Sequence, residues 1–283
     1  MNSVCFAVDS SIRSLTESDM WLKRALENEG YTVRITVWGE SLPSQECRAL
    51  VIRETWNYHH QPDNFLRWVS EVERDGILLL NSAALVRWNM RKTYLLEVAK
   101  AGIPVVPSLI LSTDTPRAQI QSWVSTNCDK DIVLKPLVGA SGDGVKKYAI
   151  SDFFDQLMCT EGLIQPYLSH VEEGEISCIY VEGLFSHAIA RIPKKGSFLA
   201  NVAQGATVHL IDPPSEVRRY ERALHDLLPS CPLYSRLDWL FDGRNYLLAE
   251  VELIEPGLFA TFSPTYAAVF AEAITKRLER AKS

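Results

Sequence analysis

The stretch RNYLLAEVELIEP, residues 244–256, has the pattern of a β-strand that carries two acids on one face. Side chains alternate between the faces of a strand and rise about 3.3 Å per residue, so Glu250 and Glu252 project from the same face, roughly 6.6 Å apart. Two carboxylates side by side in a low-dielectric groove repel each other unless protons or cations lie between them. The other face is expected to be apolar and to carry Leu247, Ala249, Val251 and Leu253.

A hairpin is predicted around this strand. Asp242-Gly243 is a turn signal, so residues 236–241 and 246–253 should pair as antiparallel strands. The register decides whether Asp238 meets Glu250, because a loop with an odd number of residues, or an equivalent bulge, puts both side chains on one face. An even loop without a bulge would turn Asp238 away. We predict the first arrangement.

In that arrangement the hairpin offers a site for a divalent cation. Asp238, Glu250 and Glu252 are hard oxygen ligands that suit Mg2+, which prefers carboxylates together with phosphate oxygens and water. Arg236 shares their face and would add a fixed positive charge beside a phosphoryl group. The alternative is a charged outer face of a hairpin that binds nothing.

A glycine-rich loop follows a predicted strand in the middle of the chain. The strand DIVLKPL, residues 131–137, carries Lys135, and the loop VGASGDGVKKY follows at 138–148. Such a loop can close its backbone N–H groups around phosphate oxygens. Val145 stands where a Walker motif has its lysine, which disfavours a P-loop ATPase. A plain surface turn and a lysine with its charge in solvent are the alternatives. The candidate phosphate-binding residues of the loop are Gly139, Ser141, Gly142 and Gly144.

The segment GLIQPYL at 162–168 has the pattern of an apolar strand interrupted by Gln165-Pro166. Main-chain N–H and C=O groups at such a junction can bind the edge of an adenine, since ligand pockets often use backbone groups for orientation. Three acids follow within ten residues, and one of them could accept hydrogen bonds from ribose hydroxyls: Glu172, Glu173 and Glu175. For each acid, a solvated position in a loop is the alternative.

The first third of the chain alternates short apolar runs with amphipathic segments, from SVCFAVD at 3–9 to ILLLN at 77–81. Strands that alternate with helices of this length predict βαβ units and a parallel sheet. The segment has no GxGxxG motif, so the fingerprint of a dinucleotide-binding domain is missing. Further helices are predicted from residue 87 to near Gly102, at 214–228 and at 264–281.

Composition indicates a globular protein whose ligands are small. The 283 residues are 47% hydrophobic, which allows a large core and two or three subdomains. A net charge of -6 argues against nucleic acid or an anionic membrane as the main partner. The sequence lacks the pattern of a signal peptide and any run of about 18 apolar residues, so we expect a cytoplasmic protein.

Neither the cysteines nor the histidines indicate a metal site. The six cysteines have no CxxC spacing and are expected to be reduced, buried thiols. His59 and His60 lie in a polar, loop-like stretch, and no spaced partner is found for His187, His209 or His225, so we expect no metal bound by histidine. No GxSxG motif supports a hydrolase triad.

The ordered motifs resemble those of an ATP-grasp ligase. The resemblance covers about residues 87–262 and rests on WNMRK, VLKPLVGASGDGV, LIQPYL, GEISCIYVEGLFSHA, NVAQGA, RLDWL and AEVELIEP. The set is most similar to the glutathione-synthetase-like branch, and within it to the group that contains the cyclo-ligase of D-cycloserine biosynthesis. The stretches VIRETWNY and DNFLRW also resemble that group.

The resemblance implies an α/β architecture, the ATP-grasp fold, in which two α+β subdomains clasp ATP. A Rossmann-like pre-ATP-grasp domain is expected at 1–86. A central lid subdomain is expected at 87–163, and a catalytic subdomain at 164–283.

Roles in nucleotide binding are implied as well. Lys92 and Lys135 would contact the phosphates of ATP beneath a mobile loop formed by Gly139 to Gly144. The adenine would be bound by a hinge that consists of Gln165, Tyr167 and Leu168. The ribose would lie near Glu173 or Glu175. The implied ligands of two Mg2+ ions, which Mn2+ could replace, are Asp238, Glu250 and Glu252. The commonest pattern of the family here is E-x-N, so Glu252 replaces an asparagine.

Catalytic and substrate roles follow from the same resemblance. Arg191 and Arg236 match the basic residues that face the transferred phosphoryl group. Arg53 could clamp a substrate carboxylate through a bidentate contact. The acceptor pocket could be shaped by Asn201 and Gly205. Glu255 could bind an amino group or support the entry of the chain into Pro256.

The implied activity is that of an ATP-dependent carboxylate-amine ligase or cyclo-ligase, an EC 6.3-like enzyme. It would form a C–N bond through an acyl-phosphate of a small amino-acid-like substrate and release ADP and phosphate. Its partners would be a small carboxylate and an amine, with neither nucleic acid nor membrane, and a homodimer stays open. The rivals are a small-molecule kinase, whose phosphorylated product is stable, and a non-catalytic nucleotide-binding regulator.

Overall fold

The computed structural model describes residues 3–12, 14–42, 45–156 and 161–281, which contain three sheets. The first is parallel and has the strand order β2-β1-β3-β4. Its strands are β1 (Ser3–Val8), β2 (Thr32–Val37), β3 (Ala49–Ile52) and β4 (Leu78–Leu80). Helix α1 (Glu17–Asn28) joins β1 to β2, and α2 (Pro62–Arg74) joins β3 to β4. The predicted βαβ units are confirmed.

Both crossover helices start at residues suited to that position. The side chain of Thr16 caps α1 by accepting a hydrogen bond from the N–H of Asp19, and Pro62, with its fixed φ, opens α2. Apolar residues then recur every three or four positions, so each helix buries one stripe against the sheet. In α2 this stripe consists of Phe65, Trp68, Val69 and Val72.

Two helices replace the single helix predicted from residue 87 to Gly102: α3 (Ala83–Asn89) and α4 (Tyr94–Lys100). The single-helix prediction is wrong because hydrogen bonds to other segments interrupt the turn between them. The side-chain amide of Asn89 donates to the carbonyl of Val251 (2.7 Å) and accepts from the N–H of Leu253 (2.8 Å). In the break, the N–H of Lys92 donates to the carbonyl of Leu137 (2.8 Å). The break carries Lys92 toward the glycine-rich loop.

The second sheet is antiparallel, with the order β5-β8-β6-β7. It contains β5 (Leu109–Leu111), β6 (Asp131–Lys135), β7 (Lys146–Ala149) and β8 (Gly162–Pro166). Helices α5 (Arg117–Asn127) and α6 (Ile150–Gln156) pack against it, with Ile120, Val124 and Phe153 in the shared core. The glycine-rich loop connects β6 to β7, so it extends from the edge of this small α+β unit.

The third sheet is antiparallel, with the order β11-β10-β9-β12-β13. Its strands are β9 (Glu175–Val181), β10 (Leu184–Ile192), β11 (Thr207–Ile211), β12 (Tyr234–Phe241) and β13 (Tyr246–Glu252). Two short helices, α7 (Ser215–Arg218) and α8 (Glu221–Leu227), correct the prediction of one helix at 214–228. The last helix, α9 (Tyr266–Arg280), agrees with the prediction and packs with α1 in a core that includes Phe6, Leu22 and Phe270.

The predicted division into three units stays a proposal, with modified boundaries. The boundary between residues 163 and 164 would cut through β8, which pairs within the second sheet. Residues of α4, such as Tyr94 and Val98, pack with Trp239 in the core of the third sheet. We therefore propose that the lid unit extends from about residue 109 to residue 167.

Glu54, next to β3, should make stability depend on pH. Burial raises the pKa of Glu54 to about 7, so the folded protein holds this proton more tightly than the unfolded chain. Its contribution to the free energy of unfolding is present below the unfolded pKa of about 4.3 and is lost as pH rises through 7. We expect Glu54→Gln, which can still accept from the N–H of Thr16 (2.7 Å in the wild type), to remove this loss.

The measurement is urea unfolding at pH 5 and pH 8. Relative to wild type, Glu54→Gln should gain up to about 3 kcal/mol at pH 8 and show little change at pH 5. The exposed Glu279→Gln is the matched control. An identical pH dependence for Glu54→Gln and wild type would contradict the prediction.

Candidate active site

A cavity of about 620 Å³ lies between the three sheets. The glycine-rich loop, the end of β8 and the break between α3 and α4 line one side of it. The hairpin of β12 and β13 lines the other, and the first turn of α1 lines one end. Its volume is in the range of sites for a cofactor or small ligand.

The β12–β13 hairpin brings the three predicted metal ligands together. Its turn has an even length, residues 242–245, but a bulge shifts the register, so Asp238 pairs with Glu250 while Trp239 pairs with Leu248. The predicted shared face of the acids is confirmed, and a bulge produces it. Carboxylate oxygens of Asp238, Glu250 and Glu252 lie within 4.8 Å of one another.

The bulge also overturns part of the predicted apolar face. Ala249 is the extra residue and lines the cavity, so Leu248 rather than Leu247 joins Val251 and Leu253 in the core. A strict two-residue alternation does not survive an inserted residue.

Two lysines from different segments converge on Glu250. The Nζ of Lys92 lies 2.8 Å from Glu250 Oε1, and the Nζ of Lys135 lies 3.7 Å from the same oxygen. Both lysine side chains are largely buried, with 13% and 14% of their surface exposed. Burial alone would raise the pKa of Glu250, but the two lysines outweigh it and hold that pKa well below its usual range. Glu250 is therefore ionised at neutral pH.

Two arginines hold the other acids. Arg236 makes a bidentate contact with Asp238 (Nε to Oδ1 2.9 Å, Nη2 to Oδ2 2.9 Å) and also reaches Glu252 (2.5 Å). The Nη2 of Arg191 lies 2.8 Å from Asp238 Oδ2 and 3.2 Å from Glu175. These arginines outweigh the effect of burial and lower the pKa of Asp238. The predicted catalytic pair, Arg191 and Arg236, thus lies beside the predicted metal ligands.

Other acids of the cavity are less well compensated. Burial raises the pKa of Glu252 to about 7 and that of Glu175 to about 7, although Arg236 and Arg191 oppose the two shifts. Burial and the neighbouring Glu252 hold the pKa of Glu255 well above its usual range. An added cation would relieve this repulsion.

The donor set fits magnesium. Three carboxylates with oxygens this close, in a cavity with further room, match the preference of Mg2+ for a few carboxylates together with ligand oxygens and water. The residues that would hold the ion are Asp238, Glu250 and Glu252. Because Arg236 already contacts Asp238 and Glu252, it would lie beside the metal and share these ligands.

The glycine-rich loop, for which phosphate contact is predicted, lines part of the cavity. Gly139, Ser141 and Gly142 line it, as predicted, and Gln204 donates a hydrogen bond to the carbonyl of Ser141 (3.3 Å). Gly144 does not line the cavity. It has a φ of +72°, and a Cβ there would lie 2.7 Å from Cγ of Pro136, so a glycine is needed for the loop to pack against Pro136.

Gly144→Ala is therefore expected to raise the KM for ATP about tenfold or more, because the loop must shift away from Pro136. Gly196→Ala is the matched control, since Gly196 also has a positive φ (+83°) but no neighbour within 4 Å of an added Cβ. Steady-state kinetics at varied ATP would check this. Equal effects of the two substitutions would show that backbone strain, and not the contact with Pro136, matters.

The predicted adenine hinge lines the far end of the cavity, with Gln165, Tyr167 and Leu168 all at its wall. The hinge differs in one detail from the expectation. The N–H of Tyr167 already donates to the carbonyl of Asp131 (3.0 Å), and the side chain of Gln165 donates to Ser108 (2.9 Å). The N–H of Leu168 has no partner in the part of the chain that the structure describes, so it is the better candidate for contact with adenine.

Besides Gly144, three predicted site residues lie outside the cavity lining. Glu173 faces solvent and contacts His170 (2.9 Å), so of the two ribose candidates only Glu175 reaches the cavity. Arg53 is buried in a pair with Asp19 (2.9 Å), so its proposed contact with a substrate carboxylate stays a prediction. Gly205 ends a short turn beside Lys194, whereas Asn201 does line the cavity.

Sequence reasoning missed several lining residues. The first turn of α1 contributes Thr16 and Ser18, and the wall near Glu255 includes Phe259. Ser177 on β9 donates a hydrogen bond to Asp238 (2.6 Å). No local sequence pattern marks these residues as part of a cavity.

Comparisons with known proteins agree with this geometry. A family model described as the D-cycloserine synthetase DcsG N-terminal domain matches residues 4–81, and one described as the prokaryotic glutathione synthetase ATP-grasp domain matches residues 101–227. The cycloserine biosynthesis protein DcsG of Streptomyces lavendulae is 27% identical over 290 residues, which cover 91% of this chain and 93% of that protein. A glutathione synthetase of Prochlorococcus marinus is 29% identical over 196 residues, 65% of this chain and 59% of that enzyme.

Solved structures share the whole fold. The crystal structure of D-cycloserine synthetase DcsG superposes with a TM-score of 0.82 at 22% identity, covering 98% of this chain and 99% of that one. D-alanine–D-alanine ligase from Bacillus anthracis, complexed with ATP, gives a TM-score of 0.71 at 14% identity, covering 100% and 99%. The chain therefore has the ATP-grasp fold that these ligases share.

The predicted ATP-grasp fold, with its Rossmann-like N-terminal domain, is thus confirmed. The ATP-grasp family match ends at residue 227, before the hairpin that carries Asp238 and Glu250. The roles of the acids in this ATP-grasp chain therefore depend on their geometry. Of the five cysteines described, all are free, and Cys159 lies outside the described residues. Among the described helices, none is long and apolar enough to span a membrane.

Proposed function

We propose that this chain is an ATP-dependent ligase that activates a small carboxylate as an acyl-phosphate and joins it to an amine, with release of ADP and phosphate. The observation that carries the proposal is the meeting of Asp238, Glu250 and Glu252 with Lys92 and Lys135 in one cavity under a glycine-rich loop. Carboxylates for Mg2+ opposite fixed cations are what the transfer of a phosphoryl group requires.

The work of the side chains would be positioning and charge compensation. Lys92 and Lys135 bind the phosphate tail of ATP. Arg191 and Arg236, which both contact Asp238, offset negative charge on the phosphoryl group as it is transferred. Mg2+ held by the three acids would neutralise charge on the phosphate oxygens. No side chain has to act as a nucleophile. We also propose that the site binds two Mg2+ ions and that Mn2+ can replace them.

The end of the cavity beyond Arg236 suits an amino-acid-like substrate. Glu255 lines it and has no hydrogen-bond partner within the described ranges, so its carboxylate can accept an ammonium group, which would offset the repulsion from Glu252. Asn201 also lines the cavity and supplies an amide. The similar proteins are named for cycloserine, glutathione and D-alanine, which supports a small amino-acid-like substrate here.

The partners of the protein are proposed to be this carboxylate and an amine, supplied by one molecule or by two. We also propose a cytoplasmic location. A homodimer is a further proposal, and the mass of the protein in solution tests it.

Trapping with hydroxylamine tests the proposed chemistry. Amino acids and related carboxylates are screened with ATP, Mg2+ and hydroxylamine, and the expected result is a hydroxamate formed together with ADP for one class of carboxylate. A stable phosphorylated product without hydroxamate would favour the kinase. ATP turnover that is indifferent to every carboxylate, or nucleotide binding without turnover, would contradict the ligase.

A further inference from the structure

A second cluster of side chains that could bind a metal lies at the edge of the cavity, where Asp143 contributes to the lining and the two histidines do not. His59 and His60 belong to a short 3-10 helix, Tyr58–His60, next to the first sheet, and Asp143 is in the glycine-rich loop, 84 positions after His59. Potential ligand atoms of the three residues lie within 4.8 Å of one another. Asp143 is thus a neighbour of His59 and His60 that the sequence pattern did not indicate.

The spacing inside this cluster fits a tetrahedral ion. The Nε2 of His59 lies 3.1 Å from Oδ2 of Asp143. Two ligands at about 2.0–2.1 Å from one zinc ion in tetrahedral geometry are separated by roughly 3.3 Å. The rings of His59 and His60 are in contact, with centroids 4.0 Å apart. His60 and Asp143 are exposed, so their side chains can adjust to an ion while His59, only 9% exposed, stays fixed.

We propose that His59, His60 and Asp143 form a binding site for a borderline transition-metal ion such as Zn2+. Two imidazoles and one carboxylate are the ligands that zinc prefers, whereas Mg2+ prefers oxygen ligands alone. Three protein ligands leave a fourth position for water or a small anion. The site is chemically distinct from the cluster of three acids, and neither histidine lines the cavity.

A hydrogen bond between His59 and Asp143 alone would explain their distance, but it would not require His60. The second imidazole lies on the same side as the carboxylate, near enough to share an ion. His60 thus distinguishes the metal site from a simple contact between two side chains, and its substitution is the decisive one.

Such an ion would link the loop to the first sheet. Asp143 is in the loop that lines part of the cavity, and both histidines precede α2. The complete ligand set exists only with the loop in the position seen here. Any ligand that holds the loop down, such as a nucleotide, should therefore raise the affinity for zinc, and zinc should raise the affinity for the nucleotide by the same factor.

Zinc titration of the full chain tests the site, with a chromogenic chelator as competitor and Mg2+ in large excess so that the acids are not available to zinc. We expect one zinc ion per chain. Its affinity should rise about fivefold or more when a non-hydrolysable ATP analogue is added. Each of the variants His59→Ala, His60→Ala and Asp143→Asn should weaken binding about tenfold or more. His209→Ala, which removes an exposed histidine far from the loop in sequence, should not.

Several outcomes would overturn the proposal. These are no zinc bound, equal binding by the His60→Ala variant and wild type, or loss of zinc with His209→Ala. The coupling to nucleotide rests on the proposed function, so binding of the analogue is measured separately. Affinity for zinc that is unchanged by an analogue that binds would contradict the role of the loop position. Because His60 and Asp143 are exposed, their substitution should leave the fold intact, and the thermal midpoint of each variant checks this.

Discussion

Glu250→Gln is expected to lower kcat/KM for ATP at least about 1000-fold. Glu250 is the acid on which Lys92 and Lys135 converge, and it is one of three proposed ligands of Mg2+. The amide is nearly the same shape but carries no charge, so the site loses a metal ligand and leaves two largely buried lysines without an anion. ATP-dependent release of ADP in the presence of the carboxylate identified by hydroxylamine trapping is the measurement.

Glu252 supplies a matched control within the same hairpin. The commonest pattern of the superfamily has asparagine at this position, and Asn keeps an oxygen ligand, so Glu252→Asn should stay within about tenfold of wild type. Glu279→Gln, at an exposed position on α9, should be unchanged. If Glu250→Gln retains wild-type turnover, Glu250 is not a ligand of the essential metal.

Arg191→Met is expected to reduce kcat about 100- to 1000-fold while the KM for ATP changes little. Arg191 contacts Asp238 (2.8 Å), a proposed metal ligand, so its charge should matter mainly when the phosphoryl group moves. Its longer contact with Glu175 (3.2 Å), the remaining ribose candidate, should add only a small change in the KM for ATP. Methionine keeps the length and apolar volume of the stem. Kinetics at varied ATP separate the two parameters.

The control for this variant is Arg222→Met, because Arg222 is 93% exposed on α8 and makes only a long contact with Asp226 (3.8 Å). Its kinetics should equal those of wild type. A rise in KM for ATP with unchanged kcat in Arg191→Met would assign this arginine to ground-state binding of the nucleotide.

The hairpin shows how far local patterns lead. Alternation and the Asp-Gly turn signal predict that Asp238, Glu250 and Glu252 share a face, because a strand fixes the direction of its side chains. The bulge could be anticipated only as one of two arrangements. It moves Leu248 into the core and Ala249 to the cavity. No local signal in the sequence marks Ala249 as the extra residue of the bulge.

Contacts between distant segments account for the errors. The pairing of Arg53 with Asp19 joins residues that are 34 positions apart on different elements. The break before α4 depends on Asn89, whose hydrogen bonds reach β13 and Leu253. His59 meets Asp143 through the loop that the second sheet supports. Periodicity and spacing describe residues that are close along the chain, so they do not predict these tertiary contacts.

The most direct test is a crystal structure of the protein with a non-hydrolysable ATP analogue and Mn2+, recorded to show anomalous scattering from manganese. We predict anomalous density within ligand distance of Asp238, Glu250 and Glu252, next to phosphate oxygens that Lys92 and Lys135 also contact. Manganese density elsewhere in the cavity, or a triphosphate bound away from these three acids, would contradict the account.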